Sequence, residues 1–184
     1  MILPIYLYGH PVLKKVAQPI DSEYTNLEEL IKNMWETMYA AKGVGLAAPQ
    51  IGQSIRLFLI DTEQLDDEDR INSKPIKMAF INAQKIEETG DLYNYEEGCL
   101  SIPHIRGEVE RPTTIRLRYM DVNFNEHETV FEGLNARVIQ HEYDHLEGIL
   151  FTEKLKPIKR SLIQRKLESI RKGKVDADYK IHRS

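Results

Sequence analysis

Apolar residues along the 184-residue chain recur at helical spacing in three stretches and alternate in short runs between them. From Asn26 to Lys42, the residues Leu27, Leu30, Ile31, Met34, Trp35 and Met38 fall on one face of a helix. Thr25 and Glu28 stand at capping-box spacing before it, and Gly43 stands where a left-handed C-cap is wanted. A second helix is predicted from Leu134 to Leu146, ended by Gly148. A third starts near Pro157 and closes at Gly173, with an apolar face of Leu155, Ile158, Leu162, Ile163, Leu167 and Ile170. Short strands are predicted at 55–60, 78–82, 84–88, 113–119 and 128–132. The clearest alternates Ile115, Leu117 and Tyr119 with Thr114, Arg116 and Arg118. Turns rather than helices separate most of them, which argues for antiparallel pairing. Residues 43–52, rich in glycine and broken by Pro49, read as an irregular loop. The fold class is α+β: small antiparallel sheets packed around a central helix, with an N-terminal and a C-terminal helix. Residues 1–173 read as one catalytic domain and 174–184 as a frayed, flexible tail.

Composition narrows the class. With 41% apolar and 29% charged residues the chain has the balance of a water-soluble globular domain, and no stretch approaches the ~18 apolar residues of a membrane helix. Met1 to His10 lacks a basic n-region and a small-residue cleavage site, so it reads as mature protein. A single cysteine excludes an internal disulfide and suits the reducing cytoplasm. The net charge of −4 is unevenly spread. Residues 1–150 carry 14 Lys/Arg against 25 Asp/Glu, a net −11, and residues 151–184 carry 11 against 4, a net +7. A basic tail of this kind suits an anionic partner.

The chemistry concentrates in His141-Glu142-Tyr143-Asp144-His145. Histidines four apart share one helix face and can bind one metal ion, and the adjacent Glu142 can reach a water on that ion. Leu134 and Val138 lie on the same face and would line the pocket before it. A catalytic metal site usually has three protein ligands and an open position. Two residues are candidates for the third ligand: Cys99, in Glu97-Gly98-Cys99-Leu100-Ser101, and Glu168 on the following helix. Glu168 falls beside the apolar stripe among Arg165, Lys166 and Arg171, where it reads as their solvated partner. The acidic run Asp66 to Asp69 lacks EF-hand spacing and reads as a surface loop.

Taken together, three segments resemble the signature motifs of the peptide deformylases of bacterial type. They are Gly43-Val44-Gly45-Leu46-Ala47-Ala48-Pro49-Gln50, Glu97 to Ser101, and Gln140-His141-Glu142-Tyr143-Asp144-His145-Leu146-Glu147-Gly148. Tyr8 to Pro19 is similar to the family's N-terminus. The resemblance implies removal of the formyl group from the N-terminal formyl-methionine of nascent chains. It implies one divalent ion, Fe2+ first and Zn2+, Ni2+ or Co2+ as substitutes, held by Cys99, His141 and His145 with water in the fourth position. Glu142 would be the general acid and base, and the Gln50 amide and the Leu100 N–H would stabilise the oxyanion. The peptide would lie along Gly43, Val44 and Gly45, with Glu97 and Gly98 also on the substrate side. The methionine pocket would be walled by Val44, Tyr95, Leu134, Arg137, Val138 and His141. Arg137 is expected to lay its stem along that pocket and its head in water. Arg106 and Arg111 would meet the substrate or pair with a buried carboxylate such as Glu97. The helix bearing Lys159, Arg160, Arg165, Lys166, Arg171 and Lys172 would contact the ribosome.

Overall fold

The computed structural model describes residues 1–66, 68 and 73–183. Its helices are α1 (Leu27–Ala40), α2 (Gly133–Leu146) and α3 (Pro157–Arg171). Its strands are β1 (Gly45–Ala47), β2 (Leu57–Asp61), β3 (Lys77–Cys99), β4 (Ile102–Met120) and β5 (Glu126–Glu132). The strands expected to form several small sheets share one antiparallel order, β1-β2-β3-β4-β5. The runs at 78–82 and 84–88 are parts of the single long β3, whose hairpin with β4 absorbs four register shifts. β1 lies inside the segment that reads as a loop in sequence, and three residues carry too little alternation to reveal a strand.

Five consecutive buried residues make β2 a strand covered on both faces. Leu57 and Leu59 pack with Met34 and Met38 of α1. Phe58 and Ile60 pack with Ala136, Ile139 and Leu146 of α2. Phe80 stacks on Phe58 with ring centres 4.7 Å apart and meets Phe131 edge-on. Each fully buried side chain of this size contributes about 1.5–3 kcal/mol of transfer free energy. A third cluster joins the N-terminal segment, β4 and α3 through Leu13, Val109, Phe151, Leu155, Ile163 and Leu167. α2 thus lies against the inner face of the sheet with one side in the core, and its other side is left to face a cleft.

Four expectations change. Thr25 does not cap α1; Asn26 takes the N-cap position with a left-handed backbone and no side-chain bond. At its other end Lys42, not Gly43, carries the positive φ, 57°. Only Ile163, Leu167 and Ile170 of α3 are buried, whereas Ile158 and Leu162 are 78% and 73% exposed. The tail after Gly173 is docked rather than frayed: Ile5 N–H donates to Lys180 O, His182 N–H donates to Ile5 O, and Ile181 pairs with Ile5 in parallel. Its polar composition hid an alternation of Val175, Tyr179 and Ile181 that packs on the third cluster. Of the acidic run, Asp67 and Asp69 lie outside the described residues.

Candidate metal centre and active-site cleft

One turn of α2 separates His141 from His145, and both imidazoles face the end of β3, where Cys99 sits. The Cys99 sulfur and one nitrogen from each histidine lie within 4.8 Å of one another. Cys99 Sγ is 3.4 Å from His145 Nε2. Bonds of about 2.1–2.3 Å in a tetrahedron put donor atoms about 3.4–3.8 Å apart, so a first-row divalent cation fits between them. Burial holds His145 well below the ordinary imidazole range, and so neutral, the form that offers a lone pair.

The polar groups behind the donors are almost all satisfied. Glu97 accepts from Arg111 Nε at 2.8 Å and Nη2 at 3.0 Å, from Arg137 Nη1 at 2.8 Å, and from His141 Nδ1 at 3.0 Å. Donating from Nδ1–H leaves His141 Nε2 free for an ion. Arg111 donates through its remaining Nη1 to Asp144, 2.8 Å away. Burial pushes the Glu97 pKa up, but hydrogen bonds from His141 and Arg111 outweigh it and hold the carboxyl well below its ordinary range. Glu97 is therefore a buried anionic brace beneath the cleft, and Arg111 resolves to the carboxylate-paired alternative. Arg137 does not put its head in water. It is 2% exposed, donates to Val109 O and Tyr93 O, and stacks under Tyr93 at 4.4 Å and Tyr95 at 5.6 Å. Neighbours with lone pairs or π density outcompete solvent for the guanidinium.

Among the described residues four buried side-chain atoms have no hydrogen-bond partner, Arg137 Nε, Gln140 Oε1, Glu142 Oε2 and His145 Nδ1, and the last two belong to the donor turn itself. Burial, with Glu97 nearby adding and His141 opposing, pushes the Glu142 pKa up to about 7. A carboxylate there is poised to give and take protons near neutral pH. Glu142 packs directly on Gly45: a Cβ at that position would stand 2.5 Å from its Oε1 and 2.8 Å from its Cδ. Gly45→Ala is therefore expected to displace the carboxylate and lower kcat by about 10²-fold, at a stability cost of about 1–3 kcal/mol. Steady-state kinetics beside a thermal melt check both.

Gln50 is fixed from the other side. Its Oε1 accepts from Ala47 N–H at 2.9 Å, and its Nε2 reaches Ser101 Oγ at 3.2 Å and Cys99 Sγ at 3.5 Å. A cavity of about 490 Å³ opens over these groups. Gly43, Val44, Gly45, Gln50, Tyr95, Glu97, Gly98, Cys99, Leu100, Leu134, Arg137, Val138, His141 and Glu142 all line it, and His145 lies behind as the third donor. Arg106 lies on its rim, paired with Glu96 at 3.8 Å. Sequence reasoning missed the buried Ser101, and it missed Asp178 and Tyr179 of the tail, which also line the cleft. The alternation of Val175, Tyr179 and Ile181 in that tail was the available signal.

A thiol and two imidazoles converging beside a buried, unpartnered carboxylate, at the base of an open cleft on an α+β fold, define a metal-dependent hydrolase of the His-Glu-x-x-His class. The family model for polypeptide deformylase matches residues 2–161, and the chain belongs to that family. A peptide deformylase of Christiangramia forsetii is 53% identical over 98% of this chain and 95% of its own length, and that of Flavobacterium psychrophilum is 50% identical over 98% and 96%. The crystal structure of the peptide deformylase from Thermus thermophilus superposes with a TM-score of 0.82 at 38% identity, covering 94% of this chain and 99% of that one. The chain is thus a hydrolase that removes the N-formyl group from nascent peptides. No described helix is long and apolar enough to cross a membrane.

Proposed function

We propose that the enzyme works with Cys99, His141 and His145 holding one divalent ion and with Glu142 as general acid and base. The observation that carries this reading is three donor atoms within 4.8 Å beside a buried carboxylate oxygen without a partner. Iron(II) is the ion we assign, and zinc, nickel or cobalt fit the same thiolate and imidazole set. When bound, the ion supplies Lewis acidity toward the formyl carbonyl and the attacking water. Glu142 takes a proton from that water as its oxygen bonds to the formyl carbon, then gives the proton to the amine nitrogen as the C–N bond breaks. Formate and a free methionine amine are the products. Gln50 Nε2 and the Leu100 N–H donate to the formyl oxygen as charge builds there, and one such donor contributes ~2.7–4 kcal/mol to lowering the barrier.

The peptide pairs along β1, which lies at the edge of the sheet order, so backbone bonds give affinity without reading most side chains. Methionine enters the pocket walled by Val44, Tyr95, Leu134, Val138 and His141, with Arg137 supporting Tyr95 from below. Glu97 and Gly98 stand on the same side. The experiment is hydrolysis of formyl-Met-Ala against acetyl-Met-Ala with the iron kept reduced. Release of formate from the first alone is expected; cleavage of neither overturns the reading.

We place the enzyme in the cytoplasm and assign the outward face of α3 to the ribosome. Exposed Ile158 and Leu162 stand there beside Lys159, Arg165 and Lys166, a mixed apolar and cationic surface suited to folded RNA and its proteins. Co-sedimentation with ribosomes is expected to drop steeply between about 50 and 200 mM salt and to be lost on charge reversal of Lys159, Arg165 and Lys166. Equal pelleting of the variant removes the assignment.

A further inference from the structure

The last ten described residues follow α3, beyond the stretch that the family model matches. Gly173, with φ of 71°, turns the chain back toward the cleft. The returning segment is tied down at several points. Its Asp176 carbonyl lies 2.7 Å from His104 Nε2, Arg183 Nη2 donates to the Asp176 carboxylate at 2.9 Å, and the pairing with Ile5 anchors the far end. Between these ties Tyr179 reaches the cleft. Its half-buried ring packs with the cluster that also holds Cys99 and Leu100, and its hydroxyl donates to the Leu100 carbonyl at 2.6 Å.

That carbonyl belongs to a demanding place. Cys99 pairs with Ile102, so Leu100 and Ser101 form the two-residue connection between β3 and β4. The peptide unit between them is the one that two-residue turns rotate most readily. Ser101 is already held, its carbonyl by Tyr8 N–H at 2.8 Å and its hydroxyl by Gln50 Nε2. Cys99 is held by its strand pairing with Ile102. Leu100 stands between them, and the bond to Tyr179 fixes the Leu100–Ser101 peptide unit, which hangs on the same Cα as the Cys99–Leu100 unit that carries the Leu100 N–H.

We propose that Tyr179 is a positioning residue of the active site, its hydroxyl holding the Leu100 backbone so that the Leu100 N–H aims at the formyl oxygen. This rests on the reading above, in which that N–H meets the developing oxyanion. The ring fills space beside the cleft whether or not the hydroxyl is present, so the two contributions separate in one substitution. Tyr179→Phe in the full, iron-loaded chain is expected to lower kcat on formyl-Met-Ala roughly three- to tenfold, the range of one net hydrogen bond expressed as a rate. KM, metal content and melting temperature stay near those of the parent. A contact that only stabilises the tail would lower the melting temperature and leave kcat of the folded enzyme unchanged, and that result overturns the proposal. Gln50→Ala run in parallel separates the two ideas. If it lowers kcat and Tyr179→Phe does not, the oxyanion reading stands and Tyr179 has no positioning role. If neither lowers kcat, the oxyanion reading itself falls, and the proposal with it.

Discussion

Glu142→Gln is expected to lower kcat by about 10²–10⁴-fold while leaving KM and bound metal within about twofold of the parent. The substitution is nearly isosteric, and the side chain is 4% exposed against Gly45, so packing survives. What is lost is the ability to accept the proton of water and return it to the amine. An amide nitrogen at this place can only donate. The pH profile carries a second signature. In the proposed mechanism Glu142 works as a base in its carboxylate form, so activity of the parent is expected to fall as pH drops through its pKa. That value is about 7 from burial and is pulled lower by a bound cation. The acidic limb set by this group is expected to vanish in Glu142→Gln. Full activity in the variant, or an unchanged acidic limb on the residual rate, would remove Glu142 from its assigned role.

Much of the site is written locally in the chain. His141 and His145 are legible because helical periodicity alone puts them on one face, and α2 is a strong helix whose core side, Ala136, Ile139 and Leu146, leaves the other side to the cleft. The motif segments carry Gly45 and Gln50 with their neighbours, so their arrival in one cleft needed only the sheet to pair β1 with β2 and β3 with β4. What escaped depends on distant partners. Arg137 reads as a pocket wall with its head in water until Glu97, Val109 and Tyr93, 28 to 44 residues away in sequence, are brought around it. β3 runs 23 residues through mostly exposed positions, where no buried face imposes alternation and Gly90 looks like a break. Ile158 and Leu162 match helical spacing, yet α3 meets the third cluster only through Ile163, Leu167 and Ile170, a narrower stripe than spacing alone suggests. The tail is held by backbone bonds to Ile5, which side-chain pattern cannot announce.

Cys99→Ala is expected to release the ion and abolish activity together, with metal content per chain falling from near one toward zero after gel filtration. Two imidazoles four residues apart remain in the variant, but removing one of three donors and the only anionic one weakens binding of a first-row divalent ion sharply. The competing architecture for a His-Glu-x-x-His helix completes its site with a downstream carboxylate, and Glu168 is the residue of α3 that could serve. In the structure Glu168 is paired with Arg171 at 3.6 Å, with 42% of its side chain exposed, and it takes no part in the donor cluster. The two architectures therefore separate in one assay. With a thiolate ligand, Cys99→Ala empties the site while Glu168→Ala leaves metal and turnover intact. With a carboxylate ligand the outcomes exchange. Retention of a full metal complement by Cys99→Ala would leave the sulfur 3.4 Å from His145 Nε2 without a coordinating role, and the assignment of this cleft to thiolate-ligated chemistry would have to be given up.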